Sequence, residues 1–172
     1  DELMGPNHQP LYRSYAADIH SSGTHLLGLI NDILDLSKIE AGKFELKERQ
    51  FDLYDIAEDS VRMLALRIAE KQIKLSVAIP KGLLIWGDPA AFRQISLNVS
   101  SNAVKFTPVG GAIDCWLTQD AEFLTIHLRD TGCGIRPEDL ERVFESFGQG
   151  RHDVAQADKG TGLGLPILRG LM

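Results

Sequence analysis

Cysteine is scarce in this chain. Cys115 and Cys133 are the only two in 172 residues, and they offer neither metal-site spacing nor disulfide density. Reduced thiols in a cytoplasmic protein are the plain expectation. No apolar run approaches the ~18 residues that a spanning helix needs, and no leader-peptide pattern opens the chain. Positive charge is not in excess: 18 Lys and Arg stand against 24 Asp and Glu, a net charge of −6. That balance gives no reason to expect nucleic acid or an anionic membrane surface as a partner. Internal repeats and low-complexity tracts are missing too. What is present, 44% hydrophobic and 24% charged residues, is the composition of one globular domain with an appended element.

The appended element comes first. Between residues 15 and 41, Ile19, Leu26, Ile30, Ile33 and Ser37 recur at spacings of about 3.5 residues, while Leu27, Leu29, Leu34 and Leu36 add a second apolar side. A helix apolar on more than one face packs in a bundle or a dimer. Gly42 stands where a helix C-cap belongs, so the chain divides there into 1–42 and 43–172.

Beyond Gly42, helix and strand patterns alternate. FELKERQF predicts a short edge strand, with Phe44 and Leu46 alternating. Asp52 caps a helix running to about Glu70, and Asp55 extends the logic of a capping box. IKLSVAIP and LLIWGD predict strands. Asp88-Pro89 spells a helix start, with Asp as N-cap and Pro in the first helical position. That helix carries Phe92, Ile95, Leu97, Val99 and Val104 to about Lys105. Strands are expected at 112–118 and 123–130, joined by a tight turn at 119–122. A short helix from Pro137 and a last one after glycines 160–164 complete the pattern. Strands set against helices in this way predict an α+β, two-layer sandwich preceded by one long helix.

Several short segments hold residues suited to nucleotide chemistry. Asn98 and Asn102 are four residues apart, so both amides project from one helix face. An amide oxygen suits Mg²⁺, a hard cation usually shared between protein and phosphates; a solvated polar face is the alternative. Asp130 ends a strand and precedes Gly132 and Gly134, which permit a turn and close approach of backbone to a ligand. A carboxylate so placed can accept a hydrogen bond from an exocyclic amine, although Asp-Thr-Gly also occurs as a simple turn. Glycines 160, 162 and 164 precede an apolar helical stretch, and a glycine-led helix start presents free amides to phosphates. This run fits neither a Walker loop nor a dinucleotide fingerprint. The segment GQGRHDVAQADK before it is polar and aperiodic.

Taken in order, LNVSSNAVKFTP (97–108), RDTGCGI (129–135), FESF (144–147) and GTGLGL (160–165) resemble the N, G1, F and G2 boxes of sensor histidine kinases. LLGLINDILDLSKIEAGKFEL resembles the second helix of their dimerisation hairpin and its exit into the catalytic domain, with a faint likeness to alphaproteobacterial cell-fate kinases. The resemblance implies the fold shared by histidine kinases, gyrase and the large heat-shock chaperone. It implies ATP and Mg²⁺ as cofactors, with Asn102 as the metal ligand. It further implies that Asn98 and Lys105 face the phosphates and that Asp130 reads the adenine amino group. Gly132, Gly134, Phe147, Lys159, Gly160, Thr161, Gly162, Leu163 and Gly164 complete the implied nucleotide site. The polar segment becomes an ATP lid with Phe144 and Phe147 at its base, and Arg151 and Lys159 within reach of phosphate oxygens. The implied partners are a response regulator receiver domain and a second copy of the parent chain, with no nucleic acid and no membrane contact by this part, in the bacterial cytoplasm.

Departures from the pattern shape the functional expectation. Related ATPases carry a glutamate four residues before the metal-binding Asn, as the base that activates water. Here that position holds Asn98, and an amide cannot accept a proton at neutral pH. Phosphoryl transfer to another group is therefore expected rather than hydrolysis. His20 and His25 lie on the first helix, but DIHSSGTHLL does not resemble the family's phosphoacceptor box. His127 is expected to point away from the buried side of its strand; His8 and His152 read as loop residues. The resemblance implies an acceptor helix before Asp1 and further strands after Met172, so this stretch alone is not expected to autophosphorylate. A pseudokinase scaffold and an ATP-hydrolysing relative are the alternatives.

Overall fold

A computed structural model of the chain describes residues 10–148 and 162–172. Helix α1 (Pro10–Glu40) ends as its glycine suggests: Gly42 sits at φ +64°, its N–H donates to Ile39 O, and the N–H of Lys43 reaches back to Lys38 O. These two bonds form a Schellman cap, whose left-handed residue costs glycine nothing. Much of the apolar surface of α1 stands open to solvent, including Ile19, Leu26, Leu27, Ile30, Ile33 and Leu34. Leu36 is buried. Among the described residues no helix is long and apolar enough to cross a membrane.

Strand β1 (Arg49–Asp52) pairs antiparallel with β3 (Leu84–Gly87) in a two-stranded sheet, with Phe51 opposite Ile85. The expected FELKERQF strand is thus only partly formed, because four-residue β3 gives it nothing further to pair with. Lys47 N instead donates to the Asp88 carboxylate at 2.9 Å. Helix α2 (Leu53–Glu70) is N-capped by Asp52, which accepts from Tyr54 N at 3.0 Å and from Gly82 N at 2.8 Å. Among the described residues the Asp55 side chain accepts no hydrogen bond from the Asp52 N–H, so the cap is one-sided and the box does not close. Helix α3 (Pro89–Phe106) starts on Asp88, whose Oδ1 accepts from Ala90 N and Ala91 N.

The second sheet has the order β2 (Lys74–Ala78), β4 (Ala112–Gln119), β5 (Leu124–Asp130). Strand β2 runs parallel to β4, and β5 returns antiparallel with Trp116 opposite His127. Helices α2 and α3 pack together over one face of this sheet. Between the layers lie Leu64, Ile73, Ala103, Val104 and Ile113, flanked by Ile68, Leu75 and Leu128. Ser60 Oγ and Ser96 Oγ share a 2.8 Å hydrogen bond across the α2–α3 seam. On the opposite face His127 stacks on Trp116 at 4.9 Å and meets Thr118 Oγ1, pointing away from the core as its alternation required. Two short 3₁₀ turns (Pro137–Asp139 and Arg142–Phe144) follow, and α4 (Gly164–Leu171) closes the described chain. A second cluster joins α4 to α1: Leu36, Leu163 and Ile167 are buried together, with Ile39 and Leu171 beside them.

Candidate functional site

The predicted residues converge around the C-terminal half of α3. Asn98 and Asn102 lie one turn apart and both are half-buried. The Asn98 amide donates from Nδ2 to Gly164 O at 3.2 Å, tying this helix face to the start of α4. A Cβ built on Gly164 would lie 3.4 Å from Asn98 Cγ, so the backbone there passes directly over the side chain. Asn102 has no hydrogen-bond partner for its side chain among the described residues. Its carbonyl oxygen thus suits a hard cation that takes its remaining ligands from phosphate and water. Among the described residues no group of three or more His, Cys, Asp or Glu could hold a metal by itself. A one-ligand site shared with a nucleotide needs no such cluster. Lys105 is half-buried, its Nζ 5.2 Å from the centre of the Phe106 ring.

The end of α3 abuts the loop after β5. Asp130 Oδ1 accepts from Gly132 N at 2.7 Å, which fixes the carboxylate in a tight turn. A Cβ on Gly132 would fall 2.6 Å from that oxygen and 2.7 Å from Phe106 O. Here glycine is a steric requirement. Gly134 sits at φ +69°, with open space where a side chain would be. Next to them, Thr131 Oγ1 accepts from Ala112 N at 2.9 Å, and a Cβ on Gly111 would meet Thr131 Oγ1 at 2.8 Å. Gly111 and Thr131 thus brace the turn after β5, though neither was singled out from the sequence; the Gly110-Gly111 pair was the available signal.

A third junction brings FESF to the glycine run. Phe147 adopts φ +63°, and a Cβ on Gly162 would fall 2.9 Å from both Phe147 C and Gly148 O. Just before FESF, Val143 is buried, whereas within it Phe144 is partly exposed and Phe147 is 63% exposed. Leu163, between Gly162 and Gly164, is almost wholly buried in the α1–α4 cluster. Arg151, Lys159, Gly160 and Thr161 lie outside the described residues, as does nearly all of the polar segment.

Electrostatics support the frame rather than the chemistry. Burial opposes ionisation of Asp88, but backbone N–H donors from Lys47, Ala90 and Ala91 and the charge of Lys47 outweigh it, holding the carboxyl below its usual range. The N-cap of α3 is therefore a charged one. Burial pushes the Cys115 thiol up, which disfavours the reactive thiolate.

A half-buried asparagine face, an Asp-Gly turn and a glycine-led helix, meeting at one end of an α+β sandwich, define a nucleotide-binding domain. Residues 87–172, half of the chain, match the family described as histidine kinase-, DNA gyrase B-, and HSP90-like ATPase. The chain belongs to this family, in its sensor histidine kinase branch. It is 42% identical over 176 residues to the non-motile and phage-resistance protein of Caulobacter vibrioides, covering 100% of this chain and 21% of that protein. To histidine protein kinase DivJ of the same organism it is 43% identical over 159 residues, covering 92% of this chain and 26% of the relative. Full-length ShkA, solved in complex with AMPPNP, superposes with a TM-score of 0.77 at 32% identity, over 96% of this chain and 34% of ShkA. The chain thus spans between 21% and 34% of the length of these three proteins.

Proposed function

We propose that this chain is the ATP-binding catalytic part of a sensor histidine kinase. In this reading residues 43–172 position Mg·ATP, and residues 1–42 contribute the second helix of a dimerisation hairpin. The observation that carries the proposal is the meeting of separate segments at one place. Asn98 bonds to Gly164 O, Gly132 fits under Phe106 O, and Gly162 abuts Phe147. With Oδ1 of Asp130 held by Gly132 N, Oδ2 is the oxygen that accepts from the adenine amine in this reading. Asn102 holds Mg²⁺ through its amide oxygen, and the metal neutralises charge on the phosphates. Asn98 and Lys105 line the phosphate side. Gly134 and Phe147 border the base, while Gly160, Gly162 and Gly164, with Thr161, Leu163 and Lys159, form the glycine-led approach to the phosphates.

The reaction transfers the γ-phosphoryl group to a histidine imidazole nitrogen, releasing ADP, and then to an aspartate of a response regulator. Catalysis of this kind is mainly positioning and charge neutralisation. Asn98 supports transfer over hydrolysis, since its amide is no base for water and is already engaged with Gly164 O. The exposed apolar side of α1 supports pairing with a second copy of the parent chain. A response regulator receiver domain as partner, and a bacterial cytoplasmic setting, follow from the same reading.

Calorimetric titration with Mg·ADP and a non-hydrolysable ATP analogue tests it. Asp130→Ala is expected to weaken binding about a hundredfold or more, because the amine loses the group that discriminates it. Asn102→Ala is expected to weaken binding and to remove its dependence on Mg²⁺. Failure of the unmutated chain to bind, or binding indifferent to Asp130→Ala, overturns the assignment. Robust ATP turnover abolished by Asn102→Ala replaces kinase by hydrolase.

A further inference from the structure

Helix α2 ends at Lys71, 31 positions before Asn102 in the chain and outside every nucleotide-site motif. Its C-terminus forms a Schellman cap: Gln72 takes φ +51°, with Gln72 N donating to Ala69 O and Ile73 N to Ile68 O. This turn aims the Lys71 side chain across to α3. There Nζ donates to three carbonyls, Val104 O at 2.9 Å, Lys105 O at 2.6 Å and Thr107 O at 3.1 Å. All three lie at the C-terminal end of α3, where helix carbonyls lack intrahelical donors and the dipole is negative. The Lys71 backbone joins the same junction, its carbonyl accepting from Gly110 N at 2.9 Å, while Lys74 N donates to Gly111 O at 2.9 Å.

The carbonyl between those that Lys71 holds is Phe106 O, which packs against Gly132 and thereby against the Asp130 turn. Rotation or fraying of the last turn of α3 would move Phe106 O, Lys105 and Asn102 together. We propose that Lys71 is a positioning residue for the nucleotide site: its ammonium clamps the end of α3 so that the Asn102 face and the Asp130–Gly132 turn keep their spacing. The proposal rests on the nucleotide-binding reading above. Lys71 touches no reacting group and acts only through α3.

The test compares affinity for the Mg·ATP analogue with urea stability in four variants of the 172-residue chain. Lys71→Met removes the clamp and is expected to raise Kd about tenfold, as small misplacements of positioning groups do. Lys71→Arg keeps a cation with several donors and is expected to recover most of the affinity. Lys71→Gln, which keeps a donor without charge, falls between and serves if the Met variant does not fold. Leu53→Ala, at the far end of α2 and buried, lowers stability while leaving Kd unchanged. An unchanged Kd in folded Lys71→Met or Lys71→Gln overturns the proposal alone. So does a Leu53→Ala variant that loses as much affinity, because the effect would then be general loosening. Absence of binding by the unmutated chain overturns the nucleotide-site reading, and this inference with it.

Discussion

Asp88 joins three parts of the chain through one carboxylate. Oδ1 accepts from Ala90 N at 2.8 Å and Ala91 N at 3.3 Å, and Oδ2 from Lys47 N at 2.9 Å. Asp88→Ala removes an N-cap worth about 1 kcal/mol and strands the Lys47 N–H at a further cost of about 1–2 kcal/mol. The expected loss is about 2–3 kcal/mol, or a fall in Tm of roughly 5–10 °C for a domain of this size. Asp88→Asn separates the two contributions. Its Oδ1 still caps the helix, but its NH₂ group cannot accept from Lys47 N, so it should cost about 1 kcal/mol. The carboxyl is held below its usual range, so its contribution is complete above the unfolded-chain pKa of about 4. It is lost as pH falls through the lower folded value, and wild type and Asp88→Asn should converge in acid. Urea titrations with a constant m-value, at neutral pH and below pH ~4, measure all of this. An Asp88→Asn variant as stable as wild type at neutral pH would refute the Lys47 tether. A pH-independent gap between the two would refute the charged cap.

Two further outcomes test the site and its support. Gly132→Ala places a Cβ 2.6 Å from Asp130 Oδ1 and 2.7 Å from Phe106 O, so the turn or the helix end must shift; affinity for the ATP analogue is expected to fall about tenfold or more. Equal affinity for the two proteins would mean the spacing between α3 and the Asp130 turn does not matter. Ile167→Ala truncates a side chain with 0% exposure in the α1–α4 cluster, at an expected cost of about 2–5 kcal/mol in urea denaturation. A loss below about 1 kcal/mol would show that the cluster contributes little and that α1 packs on α4 only loosely.

Features decided within a few residues were legible in the sequence. Gly42 closes α1 because the left-handed cap residue and its bonding partners Ile39 and Lys38 are neighbours. Asp88-Pro89 starts α3 because cap, proline and the first free N–H groups are adjacent. The alternation of β5 put His127 on the outer face, and the i, i+4 spacing put Asn98 and Asn102 on one side of a helix. Motif order also singled out Gly132, where a side chain would collide with Phe106 O.

Partners far apart in the chain were decided only by the tertiary structure. FELKERQF alternates like a strand along its length, yet only Arg49–Asp52 pairs, because a strand extends no further than the edge that receives it. Nothing in the helix pattern of α1 says that Leu36 is buried against Ile167 while Leu34 remains open. Lys71 reads as an ordinary lysine at a helix end, although it satisfies carbonyls 33, 34 and 36 residues away. Caps, turns and side-chain periodicity are settled by nearest neighbours and are written locally. The orphan carbonyls at the end of a helix need a donor from somewhere, and the packing of α2 on α3 determines which residue supplies it.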